Sequence, residues 1–66
     1  MAVAKIIEIT AESPTSFDDA VQVGISKAAE SVHNIKGAWV KEMKANVEGG
    51  QVVAYRVDMK VTFILE

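Results

Sequence analysis

The chain has 66 residues, half of them hydrophobic, with a formal net charge of −2, no Cys and one His. A chain this short buries only about 60% of the surface its unfolded form exposes, and with no thiol neither a disulfide nor a zinc cage staples it. The mixed charges offer no basic stripe for phosphates, which argues against a nucleic-acid partner, and the surplus of apolar residues points to self-association as the stabilising device.

Residues 1–7 form too short an apolar run, followed too soon by Glu8, for a signal peptide or a membrane span. The expectation is a cytoplasmic protein with no membrane contact and one domain over residues 1–66. Residues 3–10 carry β-branched side chains in rough alternation and predict a first strand. Residues 11–16 read as a turn, because Pro14 biases Ser13 away from helical geometry. Ser16 is then the expected N-cap, its hydroxyl accepting the amide proton of Asp19, with Asp18 and Asp19 at the positive end of the helix dipole.

From Phe17 the apolar positions fall at Phe17, Ala20, Val21, Gly24, Ile25, Ala28, Ala29 and Val32, the spacing of one helical face, and the helix should fade near His33 and Asn34. Ala20, Gly24 and Ala28 leave a groove of small residues. Gly24 costs the helix about 1 kcal/mol relative to Ala, so close packing against a sheet is its expected compensation. His33, near the C-terminal end of the helix, reads as a dipole partner or an exposed residue.

A second strand over residues 38–47 and a third over residues 52–65 flank Gly49 and Gly50, which suit a two-residue hairpin turn. In that register the numbers of paired residues sum to 99, so Val40 faces Met59, Trp39 faces Lys60 and Met43 faces Arg56. Val53, Tyr55, Val57, Met59, Val61, Phe63 and Leu65 share one face of the last strand, under the helix. Trp39, Lys41 and Met43 join Arg56, Asp58 and Lys60 on the other. The reading is an α+β chain of order β-α-β-β, a three-stranded antiparallel sheet wrapped around one helix, whose uncovered face meets another copy.

Several strings in this order resemble the dodecin family. They are Lys5-Ile6-Ile7-Glu8-Ile9 with Ser13-Pro14-Thr15-Ser16-Phe17, then Ala28-Ala29-Glu30-Ser31-Val32 with Asn34-Ile35, and finally Tyr55-Arg56-Val57-Asp58-Met59-Lys60-Val61-Thr62-Phe63. The resemblance implies a hollow homododecamer that binds and sequesters a small ligand at subunit interfaces, flavin (FMN or riboflavin) being the family's default. Flavin-binding members stack the ring on a Trp of the second strand and hydrogen-bond its edge through a Gln of the third. Those positions fall here on Gly37 and Arg56, and Trp39 lies two residues further on the same face. Gly37, Trp39 and Arg56 are therefore the candidate ligand-binding residues.

A guanidinium has donors only and suits an anionic or carbonyl-rich partner, whereas Gln offers both a donor and an acceptor. A non-aromatic residue at 37 with the Tyr55-Arg56 pair is similar to the calcium-binding branch of the family, which makes calcium the alternative ligand. A calcium site would gather Glu8, Glu12, Asp18, Asp19, Glu42, Asp58 or Glu66 across a symmetry axis, and a ligand-free structural shell is the remaining reading. No nucleophile stands beside a base and no Gly loop leads into a helix, so no catalytic residues are expected.

Overall fold

The computed structural model describes residues 3–65, in the order β1 (Val3–Ser13), α1 (Phe17–Ala28), β2 (Ile35–Glu48) and β3 (Gln51–Leu65). The sheet is antiparallel with strand order β1-β3-β2. The alternating strand is thus the middle one, and one of its faces meets the helix. Val57, Met59 and Val61 are fully buried there, together with Ala20 from α1. Ile7, Ile9, Phe17, Val21, Ile25 and Val40 pack around them. Among the described residues no helix is long and apolar enough to cross a membrane.

The helix begins as its sequence dictates. Ser16 is extended, its Oγ accepts from the Asp19 amide at 3.0 Å, and Asp18 and Asp19 occupy the first turn. A second tie was not legible in the sequence. Ser13, 1% exposed, donates its hydroxyl to Asp19 Oδ2 at 2.5 Å and accepts the Thr15 amide at 3.0 Å, so one buried hydroxyl joins the end of β1 to the start of α1. Phe17 then sets its ring edge-on to Tyr55, with centroids 5.1 Å apart.

Three element boundaries differ from the sequence reading by three residues or more. β1 continues to Ser13 because Ala11, Glu12 and Ser13 find partners in Val57, Arg56 and Tyr55, and this pairing extends the strand into the expected turn. The helix ends at Ala28 rather than near His33. Beyond it Glu30 and Ser31 bond three residues back, and Val32 reaches the Ala28 carbonyl, so the apolar period outlasts the helix in a looser turn. Asn34 then adopts φ 64°, a left-handed conformation that Asn tolerates, and its carbonyl accepts the Ile64 amide at 3.1 Å. This fixes the start of β2 at Ile35, three residues earlier than expected.

Gly49 and Gly50 make the two-residue turn with φ of 58° and 78°, both positive as a type I′ turn requires. The sum-99 register holds for Glu48 and Val47, and again from Val40 to Gly37, but not between. Val53 is an extra residue on β3 and Lys41 an extra residue on β2, so the rungs from Glu42 to Asn46 sum to 100. Val40 faces Met59 and Trp39 faces Lys60, as read. Arg56, however, faces Lys44, while Met43 faces Val57 and leaves the face to which the sequence assigned it.

Gly24 lies where the helix crosses the sheet. A Cβ built on it would stand 2.7 Å from Met59 Cε and 2.9 Å from Ala11 Cβ. The Met terminus can swing aside, but Ala11 Cβ is fixed to the β1 backbone. Gly24→Ala gains about 1 kcal/mol of helix propensity against an overpacking cost of about 1–3 kcal/mol. We expect a net loss near 1 kcal/mol, seen as a thermal midpoint lowered by several degrees. Adding Ala11→Gly should restore most of it. A Gly24→Ala chain that melts as high as the parent would mean that this contact does not seat the helix.

Candidate functional site

Because α1 lies on the face that holds Val57, Met59 and Val61, the opposite parity of β3 is open. Arg56, Asp58, Lys60 and Thr62 line it. Cross-strand partners share a face, so this open face carries rungs that can be read in order. Thr62 lies between Ile6 and Gly37, Lys60 between Glu8 and Trp39, Asp58 between Thr10 and Glu42, and Arg56 between Glu12 and Lys44.

The Lys41 bulge lies at the centre of this face. Its Nζ is 3.2 Å from Glu8 Oε2 on β1 and 4.0 Å from Asp58 Oδ2 on β3, so one ammonium ties all three strands. The hydrogen bond from Lys41, with another from Asp58, holds the Glu8 carboxyl below its usual range. Asp58 is pushed the other way, by desolvation and by its hydrogen bond and repulsion with Glu8. Lys41 is raised by its bond to Glu8. Of the two acids, Asp58 is the one that holds its proton to the higher pH. The hairpin register brings Lys41 near Asp58, but Glu8 joins them only through the β1 to β3 pairing, for which the sequence holds no local signal.

Trp39 is 70% exposed on this face, and its indole points away from the core as the parity argument required. At Gly37 an added Cβ would meet no atom within 4 Å. The backbone there does not demand Gly, and the space above it adjoins Trp39 two residues on. Arg56 reaches Glu12 at 3.9 Å, and Asn46 donates to the same Glu12 oxygen at 3.2 Å. Arg56 lies four β3 residues from Lys60, the partner of Trp39, which is ~13 Å along the strand. Within one chain, Gly37 and Trp39 are neighbours and Arg56 stands apart from them.

A shallow cavity of about 170 Å³ opens beside Arg56, lined by Thr10, Glu42, Met43, Lys44, Arg56 and Asp58, so Trp39 stands outside it. A wider hollow of about 460 Å³ lies at the other end of the sheet, where His33 and Asn34 meet Phe63 and Leu65. Among the described residues no three His, Cys, Asp or Glu side chains gather closely enough to hold a metal ion. Glu66, one of the carboxylates named from the sequence, lies outside the described residues.

The acid pair gives the stability of the chain a pH dependence with two opposing parts. The folded value for Asp58 lies above its unfolded one, so its contribution grows as pH falls through the folded value and is least favourable above it. Glu8 contributes fully above its unfolded value and loses that contribution as pH falls through its lower folded value. Asp58→Asn, which keeps a donor for Glu8, should raise the thermal midpoint at pH 7, with the advantage shrinking as the solution is acidified. Glu8→Gln should lower the midpoint at pH 7. An Asp58→Asn midpoint below the parent at neutral pH would contradict the assignment.

Residues 3–66 match the family model described as Dodecin. Over 63 residues, 96% of this chain and 89% of the relative, the sequence is 35% identical to the calcium dodecin of Mycobacterium tuberculosis. The dodecin from Streptomyces davaonensis shares the fold at a TM-score of 0.93 and 31% identity, covering 98% of this chain and 96% of that one. The crystal structure of the M. tuberculosis calcium dodecin, a calcium-chelating antigen with a novel calcium-binding site, matches at a TM-score of 0.83 and 33% identity over 97% and 91% of the two chains. The chain belongs to the dodecin family.

Proposed function

We propose that this chain works as an assembled shell, a homododecamer of single-domain subunits, that binds and sequesters a small ligand at contacts between copies without transforming it. The observation that carries the reading is Trp39, 70% exposed on a sheet face that no described element of its own chain covers. An indole beside the open space over Gly37 is a stacking platform for a flat aromatic ligand, and flavin is the ligand of that kind which the family reading supplies. The ~13 Å between Trp39 and Arg56 supports a site in which the two come from different subunits. There Arg56 would direct its donors at carbonyl or anionic groups of the ligand. The elongated shape supports assembly, since the radius of gyration is 13.5 Å where a compact chain of this length would have about 11 Å.

A second reading, calcium, is supported by the 35% identity to the calcium dodecin of M. tuberculosis. It is also supported by the two departures from the flavin pattern, at Gly37 and Arg56. One chain does not fit the ion, which needs six to eight oxygens, because no three candidate ligands gather among the described residues. A calcium site on this reading draws carboxylates from several copies, with Glu8, Glu42 and Asp58 available on the open face.

Titrating the purified oligomer with riboflavin and FMN, while following tryptophan and flavin fluorescence together, separates the readings. Mutual quenching at fixed stoichiometry, abolished by Trp39→Ala, is the expected result if the indole stacks on the ring. Quenching that survives Trp39→Ala would remove this residue from the site. With no quenching but a rise in thermal midpoint on adding calcium, by mass action, the second reading would replace the first.

A further inference from the structure

Two consecutive rungs of the open face are each composed of like charges. Glu42 lies opposite Asp58, and two residues on Lys44 lies opposite Arg56. Both rungs fall in the interval between the extra residues Lys41 on β2 and Val53 on β3, and the two bulges together set this pairing. Like charges directly opposite one another destabilise a sheet. Opposite charges stand one rung away, yet none of the four side chains closes an ion pair with another among the described residues. Arg56 leans instead to Glu12 at 3.9 Å and Asp58 to Lys41 at 4.0 Å. Glu42 and Lys44, both exposed on the edge strand β2, have no ion-pair partner among the described residues. Departures from local stability of this kind gather at functional sites.

The four charges line the cavity of about 170 Å³ beside Arg56, and Thr10 and Met43 complete its lining. A simple cation or anion is repelled by half of these charges, whereas a molecule that carries both signs satisfies both rungs. We infer that the cavity binds a small zwitterion, an α-amino acid, with its ammonium at Glu42 and Asp58 and its carboxylate at Lys44 and Arg56. The rungs are ~7 Å apart along the strands. In an α-amino acid a single carbon separates the two charged groups, and a charge-assisted hydrogen bond of about 2.8 Å at each end makes up the remaining distance. The guanidinium of Arg56 has the planar fork that suits a carboxylate. The volume lies below the about 300–1,000 Å³ of pockets for drug-sized ligands, so the amino acid has a short side chain. Every lining residue comes from one chain, and Trp39 is not among them. The site shares Arg56 with the flavin reading but does not depend on the stacking platform.

Calorimetry and saturation-transfer NMR on the purified protein test the site, with L-alanine as the probe and a chelator present so that no calcium bridges the carboxylates. Saturable alanine binding is the expected result. N-acetylalanine keeps only the carboxylate, alaninamide keeps only the ammonium, and γ-aminobutyrate holds the two charges further apart. Each should bind about tenfold more weakly, or worse, the loss of one charge-assisted contact. Glu42→Gln and Lys44→Gln should each weaken alanine binding by a similar factor while circular dichroism reports a folded chain. No saturable binding of alanine, single-charge analogues that bind as tightly as alanine, or both variants matching the parent would overturn the inference. The flavin titration reads Trp39, which stands outside the cavity, so the result of either experiment holds without the other.

Discussion

A mismatch of lengths governs this fold. The helix has 12 residues and spans about 18 Å, whereas the middle strand has 15 residues and runs about 50 Å. The helix can seal only the centre of the sheet, so among the described residues the fully buried hydrophobic side chains are those of Ala20, Val57, Met59 and Val61. The same apolar alternation continues past both ends of the helix, leaving Val53 43% and Leu65 48% exposed. Each buried large side chain contributes about 1.5–3 kcal/mol, and three of them are a small reserve for a chain of this size. The overhanging residues are the remaining source of burial, and no described element of the chain covers them.

The open face follows a different logic. It is held by one ammonium, Lys41, which reaches acids on both other strands. This face is polar but not plain surface, since it also presents Trp39. On the proposed reading the face meets another copy, and the indole with the gap at Gly37 provides a place for a flat ligand. Recognition of self and recognition of ligand would then use neighbouring parts of a single sheet face.

How much of this was legible depended on whether the determining contact was local. The Ser16 cap, the start of the helix at Phe17, the turn at Gly49 and Gly50 and the outward direction of Trp39 each follow from residues close in sequence, and each stands as read. Ser13 was taken for a turn residue because Pro14 follows it, yet pairing with Tyr55, 42 positions away, keeps it in the strand. Val32 extended the helical period, but it lies in the turn beyond the end of the helix. Met43 was misassigned because alternation carries no mark of a looped-out residue. Gly37, Trp39 and Arg56 were placed on the correct face, though only the first two are neighbours in one chain.

Two of the three extra residues of the hairpin, Lys41 on β2 and Val53 on β3, cancel each other, so the strands enter and leave the interval between them in the same register. Within it, Glu42, Lys44 and Asn46 turn outward where an unbroken ladder would have presented Met43 and Ala45. The paired insertions thus decide whether the edge of this sheet is wet or greasy, and the turn and the core on either side do not register the change. The interval is a replaceable panel: a lineage could gain or lose the paired insertions and refit the outer surface for new neighbours while keeping the same interior.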